Sequence, residues 1–102
     1  MPWHDYLAAF FAGAFLANAV PHFVKGVCGD PFPTPFAKPP GKGLSSPPVN
    51  VAWALFNLIL GYLLLNTGQV SSAHRLPLLL CFAGFAALSL LGSVQFQKKH
   101  SI

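Results

Sequence analysis

Three long stretches without a charged side chain dominate this chain of 102 residues. They cover residues 6–24, 49–65 and 76–96, and none of them contains Asp, Glu, Lys or Arg. At about 1.5 Å of helical rise per residue, each stretch is roughly 25–31 Å long, which matches a hydrocarbon core of about 30 Å. The sequence therefore predicts an all-α membrane protein with three transmembrane helices.

The composition argues against a soluble domain. Charged residues make up 8% of the chain and hydrophobic residues 54%, whereas soluble domains carry about a quarter charged residues. A soluble core of this size buries only part of so much apolar surface, so we expect the lipid bilayer to cover the rest. The prediction is one integral membrane domain over residues 1–102. No basic run is long enough to follow a nucleic-acid backbone, so no nucleic-acid partner is expected.

The connection between the first two stretches is rich in proline. Eight of the ten prolines fall within residues 21–48, and proline at this density disfavours helix. We therefore expect this connection, residues 21–48, to be non-helical and outside the hydrocarbon, and we place the loop at residues 25–48. Phe23, Phe32 and Phe36 are costly to leave in water, so part of the connection is expected to lie against the membrane surface or a partner. Ser46 is the predicted N-cap of the second helix, followed by Pro47 at its first position.

The first stretch has an alternative interpretation as a cleaved signal peptide. Ala17-Asn18-Ala19 has the small-x-small form of a cleavage site, and the apolar run before it is short. Residues 1–5 lack the positive charge that opens such peptides. Retention of the first stretch as a membrane span is the prediction.

Small residues recur at helical spacing in two of the stretches. Ala9, Gly13 and Ala17 are four residues apart in the first, and Ala83 and Ala87 repeat this spacing in the third. In lipid, such positions let helix backbones approach closely and pack by van der Waals contact. We expect these residues to pack helices together, and the sequence leaves open whether they do so within one chain or between chains.

Three asparagines are among the polar side chains within the predicted spans. Asn50 and Asn57 share one helical face with Ala54 and Gly61, and Asn18 lies in the first span. An amide in hydrocarbon needs a hydrogen-bond partner. Asn18 is the candidate partner of Asn57, and hydrogen bonding between helices is the expected role. A ligand or ion site is the alternative.

The remaining residues with possible chemistry give weaker signals. The histidines all lie at span ends, where an opposed pair could hold haem: His4, His22, His74 and His100. No Cys–His cluster has zinc spacing, and Cys28 and Cys81 are expected at different depths and unpaired, so no metal, cofactor or disulfide is predicted. The glycines around Lys42 lack the spacing of a phosphate loop, which leaves Lys42 as a possible contact for a lipid headgroup.

The functional prediction is a non-enzymatic membrane protein. No Gly-x-Ser-x-Gly turn and no intramembrane carboxylate is present, which argues against hydrolases and proton-coupled transporters. The leading hypothesis is association with other membrane helices, as a homo-oligomer or as an accessory subunit of a membrane complex. The alternative is an oligomeric pore or small-solute permease lined by Asn18 and Asn57. A haem- or quinone-binding subunit that uses the terminal histidines is less favoured.

The distribution of the basic residues predicts how the chain is oriented across the membrane. Arg75 lies in the short loop on the side of the amino terminus, and the other side holds five lysines: Lys25, Lys38, Lys42, Lys98 and Lys99. Because short cytoplasmic segments carry the excess of Lys and Arg, the long loop and the carboxyl terminus are expected in the cytoplasm and the amino terminus outside. The expected location is a cell membrane, in particular a bacterial inner membrane.

Overall fold

The structure is a computed structural model that describes residues 2–40 and 43–97, and it is mostly helical. Helix α1 spans Trp3–Val27, α2 spans Pro47–Thr67 and α3 spans Arg75–Gln97. Their apolar windows have mean hydropathy values of 1.6, 1.7 and 2.0, and all three helices are long and apolar enough to cross a membrane. The prediction of three helices of spanning length is confirmed.

Helix α1 runs further than the predicted span, and it passes through Pro21 to Val27. Proline inside a helix removes one N–H donor, which apolar helices tolerate when neighbouring groups compensate. The helix ends in a Schellman motif: Gly29 has a φ of 78°, and the Asp30 N–H donates to the Lys25 carbonyl at 2.9 Å. Pro21 therefore does not begin the loop, which starts after this glycine.

Helix α1 is the centre of the bundle, because both α2 and α3 pack on it. Its buried face consists mainly of alanine and glycine, and Ala9 and Ala12 have no exposed surface. Such a face keeps the helix backbones close together. The order of the bundle is therefore α2, α1, α3.

The connection from α1 to α2 folds back on itself as a short hairpin. Strand β1 (Phe32–Pro33) pairs antiparallel with β2 (Leu44–Ser45). Phe32 and Thr34 are buried, at 4% and 1% exposed, so this segment covers one end of the bundle. Ser46 takes the predicted N-cap position before Pro47, but its side chain makes no capping hydrogen bond.

Candidate functional site

The contact between α1 and α3 depends on two glycines. A Cβ added at Gly13 would lie 1.8 Å from the Cys81 carbonyl oxygen, and one added at Gly84 would lie 1.9 Å from the Phe10 carbonyl oxygen. Neither position has room for a side chain. The backbones of the two helices are therefore in contact, because each glycine lets the other helix approach closely.

The predicted packing residues divide between the interior of the bundle and its outer surface. Ala9 and Ala17 are buried within the chain, with Ala9 against Gly68. In contrast, Ala83 is exposed and Ala87 is half-buried. Within this chain Gly84 makes the α3 contact expected of Ala83, because a backbone approach this close excludes even a methyl group. The sequence analysis missed Gly84, although its small size was the available signal.

Asn18 and Asn57 join α1 to α2. The Asn57 Nδ2 donates to the Trp53 carbonyl oxygen at 2.8 Å, which orients the amide and leaves its Oδ1 to accept from the Asn18 Nδ2 at 3.1 Å. Asn57 has no exposed surface. The structure thus brings together the two amides that the sequence analysis paired, and Asn18 keeps its Oδ1 as an acceptor.

Asn50 connects the hairpin to both helices. Its Nδ2 lies within 3.1 Å of three backbone carbonyl oxygens, those of Phe32, Ser45 and Ser46. Only the NH₂ group of the amide can donate to carbonyls, so the Oδ1 is the atom that lies 2.7 Å from the His22 Nδ1. Asn50 is fully buried. Its amide therefore fastens the hairpin at the junction of α1 and α2.

The same geometry sets the tautomer of His22. Because the Asn50 Oδ1 accepts, the His22 Nδ1 carries the proton, and in the neutral ring the Nε2 bears a lone pair. His22 is 2% exposed, and its ring lies edge-on to Phe32 with centroids 5.3 Å apart. The sequence analysis considered His22 only as a haem ligand and missed this anchoring role.

Trp53 is the next residue of this site. Its ring contacts Phe36 edge-on at 4.9 Å and stacks on Phe56 at 5.7 Å. The Trp53 Nε1 is buried and has no hydrogen-bond partner among residues 2–40 and 43–97. A buried N–H without an acceptor is costly. The described part of the chain therefore leaves this donor unsatisfied.

Two cavities lie between α1, α3 and the hairpin. One, of about 270 Å³, has mixed walls that include the polar residues Asn18, His22 and Thr34 as well as Trp53 and Leu91. The other, of about 440 Å³, has mainly apolar walls. Both are lined by Asn18, Leu88, Gly92 and Phe96. The site therefore has a polar compartment and an apolar compartment with common walls.

The opposite end of the bundle carries a smaller polar group. The Gln69 Nε2 donates to the Asp5 Oδ2 at 3.4 Å, and the His4 Nδ1 lies 3.4 Å from the Asp5 Oδ1. The Gln69 contact ties the start of α1 to the connection between α2 and α3. His4 therefore belongs to a different cluster from His22.

The other residues named from the sequence lie apart from the cavities or outside the description. The His74 Nδ1 is 3.2 Å from the Ser71 Oγ, and both cysteines are free. In the part of the chain that the structure describes, no group of three His, Cys, Asp or Glu side chains could hold a metal ion. Lys42 and His100 lie outside the described residues.

Comparison with protein-family models, with curated proteins and with solved structures finds no match for this chain. Its function is therefore inferred from its own residues.

Proposed function

We propose that this chain is an integral membrane protein with three spans that acts by association with other membrane helices. It works as a homo-oligomer or as an accessory subunit of a membrane complex, without enzymatic activity. The observation that carries the proposal is the exposure of α3, in which Pro77 and Gly84 are the buried residues among those described. The outward face of that helix is available to lipid and to a partner.

The exposed surface favours insertion in lipid. Large apolar side chains stand out along the outer faces, among them Ile59 at 60% exposed and Phe82 at 70% exposed. Leaving such a side chain in water forgoes about 1.5–3 kcal/mol each. The exposed hydroxyl of Ser89 is also compatible with lipid. Its Oγ donates to the Phe85 carbonyl at 2.7 Å, so it needs no hydrogen bond from water. Hydrocarbon is the solvent that this surface matches.

The position of Ala83 favours α3 as the surface for association. The small-residue face of α1 is already covered by α2 and α3, so it is not free to bind a second chain. Ala83 is exposed and Ala87 is half-buried on α3, and small residues four apart let another helix approach closely. We therefore assign the intermolecular contact to the Ala83 face.

A pore lined by Asn18 and Asn57 is less favoured. The two amides hydrogen-bond to each other, and Asn57 has no exposed surface. A side chain that lines a path for solutes needs contact with that path. Association is therefore the function that the geometry supports best.

The proposed location is a bacterial inner membrane, with the hairpin side and the carboxyl terminus in the cytoplasm. Phe36 and Leu44 are 63% and 60% exposed in the connection between α1 and α2. Large apolar residues beside a span suit the membrane interface. We propose that they rest on the cytoplasmic surface of the bilayer.

Purification in mild detergent, followed by mass spectrometry of the intact complex and of co-purifying chains, tests the association. The wild-type chain is expected to retain a second copy or one defined membrane partner. Ala83→Leu is expected to reduce that recovery at least tenfold, because the larger side chain separates the helices. Ala52→Leu is the matched control, since Ala52 is exposed on α2. A wild-type chain that is purely monomeric, or an equal loss in both variants, contradicts the proposal.

A further inference from the structure

The two cavities beside α1 and α3 together match one kind of ligand. We propose that together they bind a neutral, lipid-soluble molecule with a hydroxyl head and an apolar tail. The head occupies the cavity lined by His22 and Trp53, and the tail occupies the apolar cavity next to it. This inference goes beyond the proposed association.

The residues that line the polar cavity carry one unsatisfied donor and two acceptors. Trp53 lines it and has an indole N–H without an acceptor among the described residues. His22 uses its Nδ1–H on Asn50, which leaves the Nε2 lone pair as an acceptor. Asn18 adds its Oδ1, because its Nδ2 already donates to Asn57. A hydroxyl group can donate one hydrogen bond and accept two, so it complements this set.

The residues that line the two cavities favour a ligand whose head is uncharged. Of the described residues, none that lines either cavity is Asp, Glu, Lys or Arg. A charged group in such surroundings loses its hydration without gaining a counter-ion, which is strongly unfavourable. A carboxylate, phosphate or ammonium head is therefore rejected, whereas an alcohol or phenol is accepted.

The apolar cavity favours a ligand with an apolar tail. Its walls include Val20, Val24 and Phe85, and its volume of about 440 Å³ is within the range of about 300–1,000 Å³ that is usual for small-molecule pockets. Gly92 and Phe96 line both cavities. One molecule can therefore place its head and its tail on either side of these shared residues.

A titration with 4-octylphenol tests the proposal, with 4-octylanisole, its methyl ether, as the matched probe. The protein is held in lipid nanodiscs, and binding is read by native mass spectrometry and by the fluorescence of Trp53 in a Trp3→Phe background. The phenol is expected to bind saturably with one molecule per chain. The ether can no longer donate to His22, so it is expected to bind about fivefold more weakly.

Two variants locate the binding. A Cβ at Gly92 meets nothing closer than the Phe96 ring at 3.8 Å, so Gly92→Val adds a side chain where both cavities meet and its Cβ does not strike a backbone. It is expected to weaken phenol binding at least tenfold, while Ala52→Val, on α2 and outside both cavities, leaves it unchanged. Trp53→Phe retains an aromatic ring and removes the donor, and it is expected to weaken binding of both probes about fivefold.

Several results would overturn the proposal. Equal affinity for the phenol and the ether would show that the polar cavity holds only water, and saturable binding that persists in Gly92→Val would place the ligand elsewhere. If Gly92→Val does not fold, unchanged binding in Trp53→Phe is sufficient to reject the site. Failure of these titrations leaves the association unaffected, because that is read from co-purifying chains.

Discussion

Gly84→Ala tests the contact that holds α3 on the bundle. The new Cβ would lie 1.9 Å from the Phe10 carbonyl oxygen, so the two backbones must separate by about 1.5 Å to reach an ordinary contact of 3.4 Å. Overpacking of this kind costs about 1–3 kcal/mol. Alanine also favours helix over glycine by about 1 kcal/mol, which partly masks the packing cost. A matched variant is therefore needed to isolate it.

Gly92→Ala is that variant, because it makes the same change in the same helix and its Cβ has room, with the Phe96 ring 3.8 Å away. The gain in helix propensity is common to both variants and cancels in their comparison. We expect Gly84→Ala to be less stable than Gly92→Ala by about 1–3 kcal/mol. Unfolding in mixed micelles by titration with sodium dodecyl sulfate, followed by far-UV circular dichroism, measures the difference. Equal stability of the two variants would refute the close backbone contact.

Two further predictions concern the hairpin and the orientation. Asn50→Leu removes the Oδ1 that accepts from the His22 Nδ1–H and the NH₂ group that donates to the hairpin carbonyls, at a cost of more than about 2 kcal/mol, so chymotrypsin should cleave after Phe36 faster than in the wild type. The control Asn66→Leu changes an exposed asparagine of the same helix, and an equal rate in both variants would argue against the anchor. For the orientation, green fluorescent protein fused to the carboxyl terminus should fluoresce and alkaline phosphatase at the same point should be inactive. The opposite pattern would place the hairpin outside.

Some features of the candidate site were readable from single residues, and others were not. An amide in an apolar helix has to find a partner, which is why Asn18 and Asn57 could be paired in advance. The role of Asn50 could not be anticipated, because its partners are backbone carbonyls of the hairpin and no side-chain pattern marks them. His22 and Trp53 likewise look like ordinary residues near a span end until the hairpin places them beside one cavity.

The pattern of small residues shows the same limit. Spacing identified Ala9, Gly13 and Ala17, which are buried, but it also selected Ala83 in preference to Gly84. The choice between neighbours depends on how α3 is rotated about its axis. That rotation results from contacts with α1 and cannot be read from α3 alone.

The amino-acid sequence by itself determined that this chain forms three helices of bilayer length, because uncharged apolar runs of that length have few other stable structures. The end of α1 is local as well, because the turn at Gly29 closes the helix with a hydrogen bond from the Asp30 N–H to the Lys25 carbonyl. Tertiary structure decided which faces meet and that a hairpin covers one end of the bundle. These features depend on distances between residues far apart in the chain, such as the 2.7 Å between His22 and Asn50. Local propensity and periodicity carry no information about such distances.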